Sequence, residues 1–274
     1  MPRQLKSPQV NGVGTGQTAT LTFPTSGTFR DIHLLYKRAG VVATQAQMEA
    51  EIEEIRLNIN GKTQQSWTVA DLFKHNAFFG TPPADDGFIP IILVQPHRRE
   101  TAGEDVFAWG MGGVSTFTIE VDFAAGIVPA ITLDVYTDWS PITTPLGLIL
   151  KTRHISQVAV AGVGRLTVPN IDAQQNYLGW HIKSRDFSNL RPKLEGAELV
   201  NAPIEVLHKR LEQYGLVPQA GWTHLLADYD RRFGGSFPLA PSKQFPQGPL
   251  FEFEVEMSAA NSFDMIGLAV GQAD

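Results

Sequence analysis

Residues 116–126 read TFTIEVDFAAG, and residues 250–261 read LFEFEVEMSAAN. Each carries Glu-Val-acid-apolar at the heart of an alternating run, with a small-residue turn behind it. In the first stretch Phe117, Ile119, Val121 and Phe123 share one face, while Thr118, Glu120 and Asp122 share the other. That period of two belongs to a strand with one face on a core and one on water. A chain that writes nearly the same strand at Glu120 and again at Glu254 calls for a longer repeat to be sought.

Four more landmarks recur in the same order. LTFP at 21–24 returns as LTVP at 166–169, and IHLLYK from Ile32 returns loosely as WHIKS from Trp180, with His33 matched to His181. VADLFK at 69–74 returns as IEVLHK at 204–209, and GFIPI at 87–91 as GSFPL at 235–239. Alternating strands resemble one another by chance, so each match is weak alone. Five in colinear order point to a duplication.

Within each copy most segments read as strands. TATLTF and FRDIHLLY alternate or run apolar at strand length. EIRLNINGKTQQSW holds two runs around Asn60-Gly61, a dipeptide suited to a type I′ hairpin because both positions need positive φ. FIPIILVQP, bounded by Pro96, predicts a fully buried strand, and STFTIEVDF with AITLDVYTDW predicts an antiparallel pair across a short turn. One helix interrupts each copy. Thr68 is the expected N-cap of the first, with Val69, Leu72 and Phe73 on one face. In NAPIEVLHKRLEQYG (201–215), Asn201 is the expected cap, Pro203 comes early and Gly215 is the stop. TQAQMEAEIEEI predicts a further short helix in the first copy only.

SPITTPLGL at 140–148 is the expected joint. The expected domains are therefore 1–145, a first jelly roll with an N-terminal arm, and 146–274, a second. The fold class is all-β: two tandem eight-stranded jelly-roll barrels, a double jelly roll, with short helices in loops.

The 274 residues, 43% of them hydrophobic, suffice for a substantial core. A formal charge of -6 argues against a sequence-independent grip on nucleic acid. The absence of cysteine excludes disulfides and thiolate metal sites. No apolar run reaches the roughly 18 residues of a membrane helix. The opening MPRQLKSPQVNGVG has two basic residues and no apolar h-region, so an extended arm is expected rather than a secretory signal.

Motifs that carry chemistry are absent or incomplete. The histidines at 33, 75, 97, 154, 181, 208 and 224 form no H-x-H or H-E-x-x-H pair, which a two-barrel metalloenzyme of the cupin kind would need. His33 and His181 match each other, yet each is alone in its strand; a structural role is expected. There is no G-x-S-x-G elbow and no phosphate loop. Gly12, Gly14 and Gly16 precede a strand rather than opening a helix, which suits a flexible arm. Glu49, Glu51, Glu53 and Glu54 and the pair Asp85-Asp86 could hold a hard cation such as calcium. They lack a calcium-loop pattern, and solvated surface is the expectation. HRRE at 97–100 reads as an exposed basic loop. Trp109 and Trp222 fall outside periodic strands, where a lectin would stack sugars and an oligomer would seat its contacts. The stretch 95–115, with Phe107 and Trp109, is expected to pack against a neighbouring chain. No catalytic or cofactor-binding residue is predicted, and no metal ligand is assigned.

The combination of LTFPTSGTFRDIHLLY, EIRLNINGK followed by VADLF, and YLGWHIKS with IEVLHKRLEQYG resembles the major capsid protein of corticovirus-type bacteriophages. That family belongs to the double-jelly-roll lineage with the tectiviruses and adenovirus hexon. The resemblance implies a coat protein, not an enzyme, whose two barrels stand perpendicular to the capsid. It implies a homotrimer forming a pseudo-hexagonal tile of an icosahedral shell around an internal lipid membrane. Implied partners are other copies of the chain and minor capsid, penton and viral membrane proteins, with no direct nucleic acid binding. Implied location is the virion, assembled in the bacterial cytoplasm. No cofactor is implied, and no calcium-ligand motif can be read. On this reading the arm, with Arg3 and Lys6, lies at the inner side, ordered by neighbours or the membrane surface rather than by its own barrel. The alternative to a coat protein is a two-barrel carbohydrate-binding protein.

Overall fold

The computed structural model describes residues 3–6, 10–98, 101–158, 162–230 and 235–274. The chain divides into two compact units, Met1–Leu150 with Gln272–Asp274, and Lys151–Gly271.

The first unit contains β1 (Arg3–Lys6), β2 (Thr18–Phe23), β3 (Thr28–Arg38), β4 (Val41–Val42), β5 (Ile52–Ile59), β6 (Lys62–Trp67), β7 (Phe88–Ile92), β8 (Trp109–Gly110), β9 (Phe117–Phe123) and β10 (Ile131–Ser140). One antiparallel sheet runs β1-β10-β3-β7, with β4 and β8 also on β3. The other runs β2-β9-β5-β6. Apart from the β5–β6 hairpin, each successive long strand changes sheet, which is the winding of a jelly roll. Local chemistry sets the elements. Asn60 (φ 50°) and Gly61 (φ 76°) turn the hairpin in the left-handed region. Thr44 and Gln47 form a capping box on helix α1 (Gln45–Glu51), and the Thr68 side chain caps α2 (Val69–Phe78) by accepting from the Asp71 amide. The inward faces meet in an aromatic knot. Phe117 stacks on Phe23 at 4.7 Å, with Phe29 and Trp109 at 5.4 and 5.2 Å.

The second unit repeats the winding with β11 (Ile149–Val158), β12 (Gly164–Val168), β13 (Asn176–Ile182), β14 (Phe187–Leu194), β15 (Ala197–Glu198), β16 (Ala202–Pro203), β17 (Thr223–Leu226), β18 (Phe251–Met257) and β19 (Phe263–Gly271). Its sheets are β11-β19-β13-β17 and β12-β18-β14-β15, with β16 also on β14. Trp180 is the hub of the core, with Tyr177, Phe237, Phe251 and Phe253 between 4.9 and 5.6 Å from it. Besides a four-residue turn of helix α3 (Thr101–Glu104) and a 3-10 turn at Asp105–Phe107, both in the first unit, the remaining helix among the described residues is α4 (Ile204–Gln213). The fold is a double jelly roll.

Several expectations are corrected. β9 and β10 do not pair; the chain crosses between sheets after Phe123, so each strand finds partners distant in sequence. The N-terminal segment is no free arm. β1 pairs with β10 from Arg3↔Trp139 to Lys6↔Tyr136, and Lys6 Nζ lies 2.8 Å from Asp134. Asn11 and Thr20 exchange backbone hydrogen bonds of 3.2 and 2.8 Å, and the Gly16 amide donates to Ala124. An edge strand is held by its backbone ladder, which needs no apolar period in the sequence. The run FIPIILVQP supplies an edge strand with Phe88 exposed, where Pro90 costs no ladder bond. Asn201 does not cap α4. It bonds Asn189 and Glu198, and Pro203 stands at the cap position without a side-chain bond.

Strand register places the repeated landmarks. His33 lies between Pro90 and Tyr136, and His181 between His224 and Ile266, so the two histidines are counterparts. Helices α2 and α4 come after the equivalent strands and are counterparts as well. Two matches are offset. Leu21 stands opposite Ile119, whereas Leu166 stands opposite Val255. Since Val121 faces Ala19, the counterpart of Leu166 is Ala19. A two-residue slip leaves every side chain on the same face, so alternation alone cannot detect it. Likewise the counterpart of GFIPI is Thr223–Leu226, not GSFPL. Phe237 of GSFPL bridges Tyr177 instead, at the start of β13, the place β8 takes on β3.

Candidate functional site

The repeated strand has a matched arginine beside it. In the first unit Arg56 on β5 lies opposite Glu120, and in the second Arg191 on β14 lies opposite Glu254. Arg56 Nε bonds Glu120 at 3.0 Å, and its terminal nitrogens reach Asp122 and Glu54. Hydrogen bonding by Asp122, then by Glu54 and Glu120, holds the guanidinium more firmly charged than usual, and Arg56 depresses the Asp122 carboxyl in turn. Arg191 is looser, 3.6 Å from Glu256 and 4.0 Å from Glu198, while Lys193 takes Glu254 at 2.6 Å. These outward carboxylates are occupied by cations of neighbouring strands. They are sheet cross-links, not general acids.

The seven histidines separate into different settings. His154 is exposed. His33 stacks on Phe88 at 4.9 Å on the outer face of its sheet, and burial lowers its pKa. His75 lies between Trp67 and Phe79, at 4.7 and 5.0 Å, and burial pulls it down to about 3. His97 stacks on Phe79 at 4.3 Å. In the second unit three histidines converge: His181 Nδ1 lies 2.8 Å from His224 Nδ1, and His208 Nδ1 lies 2.8 Å from Arg185 Nη1. His181 is thus not alone. Its partner stands on another strand, 43 residues away, where no spacing motif could reveal it. Even so, no group of three or more His, Cys, Asp or Glu among the described residues is placed to hold a metal ion.

The acidic candidates are dispersed. Glu51 accepts from Tyr36 Oη at 2.7 Å and pairs with Arg38 at 2.8 Å. Glu54 serves Arg56 and Ser66, and Glu49 accepts from Gln45. Asp85 and Asp86 accept from the Gln45 and Phe88 amides. Glu53 is exposed. A carboxylate pair that the sequence reading missed is Asp31 and Asp138, directly opposite on β3 and β10. Each has a shielded Oδ1 without a hydrogen-bond partner, and burial, then Asp138, pushes Asp31 up to about 6.

The aromatic loops proved to be core. Trp109 is 0% exposed and Trp222 3% exposed. Trp109 pairs with Phe29 on β3 and packs on Phe117, which contradicts its expected role against a neighbouring chain. Arg98 of the HRRE stretch is buried too, beneath the Phe107 ring and bonded to Gln95; Arg99 and Glu100 lie outside the described residues. An open cleft of about 460 Å³ is lined by Thr28, Arg30, Asp105, Ile142 and Thr144. Its cation, Arg30, is tied to Asp105 at 2.8 Å. No histidine lines it.

The comparisons with known proteins supply the family. The viral coat protein P2 N-terminal domain matches residues 4–140, and the viral coat protein P2 C-terminal domain matches residues 149–273. Among solved structures, the major capsid protein P2 from bacteriophage PM2 superposes with a TM-score of 0.83 at 17% identity, covering 100% of this chain and 98% of that one. The major capsid protein of Sulfolobus Turreted Icosahedral Virus gives 0.67 at 12% identity, covering 99% and 97%. The Faustovirus major capsid protein gives 0.64 at 9%, covering 99% and 89%. No curated protein sequence matches the chain. With both of its units matched in order, the chain belongs to the viral coat protein P2 family and is a structural, non-enzymatic capsid protein of the double jelly-roll class.

Proposed function

We propose that this chain is the major capsid protein of a bacteriophage, a homotrimer that forms a pseudo-hexagonal tile of an icosahedral shell around an internal lipid membrane. One observation carries the reading: the same jelly-roll winding occurs twice in one chain, down to the arginine that faces the repeated glutamate. Three such chains place six similar barrels around a threefold axis, so a ring of one kind of heterologous contact acquires a nearly sixfold outline. Sheets packed face to face leave loops to make the specific contacts. Exposed apolar side chains of the described loops, such as Val128, Ile142, Val163 and Leu250, suit that role.

The joint lies at 140–148, dividing 1–145 from 146–274. The role requires no cofactor. An overall charge of -6 fits a shell that does not itself condense the genome. Minor capsid, penton and viral membrane proteins complete the particle, which assembles in the cytoplasm of the bacterial host. Electron microscopy of the purified protein tests this reading. Threefold particles with a hexagonal outline are expected. Separate two-barrel monomers that are retained on a glycan column would support the carbohydrate-binding alternative instead.

A further inference from the structure

Helix α2 and helix α4 hold equivalent places, yet they rest on different chemistry. Aligned from Val69 and Ile204, Phe73 stands where His208 stands, and by register Pro90 stands where His224 stands. The second unit therefore joins its helix to the sheet through three imidazoles, His208 on α4 and His181 and His224 on the strands, which are 6%, 1% and 1% exposed. The first unit builds the same seat with one histidine, His33, at these places. Histidine at all three of these places is thus not a requirement of the fold, although α2 buries His75 elsewhere on its length, and burial of a titratable group without need is costly.

The proton positions are set by obligate donors. A guanidinium only donates, so in the 2.8 Å contact from Arg185 it is His208 Nδ1 that accepts. The Gln219 amide donates to His224 Nε2 at 3.1 Å, which places the His224 proton on Nδ1. That proton is donated to His181 Nδ1 at 2.8 Å. The His224 amide donates to His208 Nε2 at 3.3 Å, so both ring nitrogens of His208 face donors. Each bonded ring nitrogen that lacks a proton already accepts from a donor that cannot be reversed.

We propose that this network is an acid-sensitive latch: α4 stays seated on the outer face of β13 and β17 only while the three rings are neutral, and protonation releases it. A proton added to His208 turns the Arg185 contact into two donors and sets a second cation beside the first. One added to His224 does the same to the Gln219 amide. The charged groups around His208 do not all act alike. Burial and then Arg185 lower it, Glu212 and Glu205 on α4 raise it, and the outcome is about 4. A histidine lowered from 6.5 leaves the native state favoured above 6.5, and that contribution is lost as pH falls from 6.5 toward 4.

Hydrogen exchange of the full-length protein near neutrality and at about pH 4.5, corrected for intrinsic rates, tests the latch. Helix α2 is an internal control, because His75 is pulled down to about 3 and stays neutral at that pH. Acidification should speed exchange across 204–213 by tenfold or more relative to 69–78, a factor on the scale of the His208 shift. His208→Phe, which borrows the residue of the first unit, should cut that ratio at least about threefold. Should that variant fail to fold, the wild-type ratio still decides. Equal responses of the two helices, or a folded His208→Phe protein that responds like wild type, would overturn the proposal.

Discussion

Arg56 and Arg191 occupy the same register in their respective sheets, each directly opposite the glutamate of the repeated Glu-Val pair, Glu120 or Glu254. This explains why the chain writes Glu-Val-acid twice. The valine faces the core, and the flanking acids face outward to meet cations on the adjoining strand. The central strand of each four-position sheet is fastened on both faces, by burial within and by ion pairs without.

The two fastenings differ in strength. Replacing Arg56 by alanine leaves Glu54, Glu120 and Asp122 together without their shared cation, and should cost about 2 kcal/mol in denaturant unfolding. Arg191→Ala should cost about 1 kcal/mol or less, because its contacts are long and Lys193 still holds Glu254. Equal losses from the two substitutions would contradict the assignment.

Trp109→Ala should act on folding, not on association. The side chain is fully buried against Phe117 within its own barrel, so truncation opens a cavity and should cost about 3–5 kcal/mol. Thermal melting would show it. A variant that melts like wild type but loses its oligomeric mass would restore an interface role.

The pair Asp31 and Asp138 gives the first unit a pH dependence of its own. Asp31 is raised to about 6 from 3.8 by burial and then by Asp138, so the folded state holds the proton more tightly than the unfolded one. The resulting stabilisation is fully present below 3.8 and is lost as pH rises through about 6. Asp138→Asn removes the facing charge. It should flatten the melting temperature between about pH 4 and 6 and raise it near pH 8, relative to wild type. An unchanged profile would show that the two carboxylates do not interact.

How much of the fold and site is legible in the sequence depends on the kind of order each feature has. Local order is legible: the Asn60-Gly61 hairpin, the Thr68 cap and the inward face of 117–123 all depend on neighbouring residues. Pairing is not, because β9 and β10 are adjacent in sequence yet sit in opposite sheets. Period-two alternation also hides the two-residue slip at Leu166. Loop tryptophans mislead for a related reason. Trp109 occupies a two-residue strand, too short to show a period, and its burial comes from Phe29 and Phe117 on other strands. The His181–His224 contact and the Asp31–Asp138 pair arise only when distant strands meet.

The mass of the purified protein in solution tests the central claim most directly. Sedimentation at micromolar concentration should give one species of about 90 kDa, three times the 30.1 kDa chain. A species of 30.1 kDa that does not grow with concentration would contradict the trimeric capsid tile.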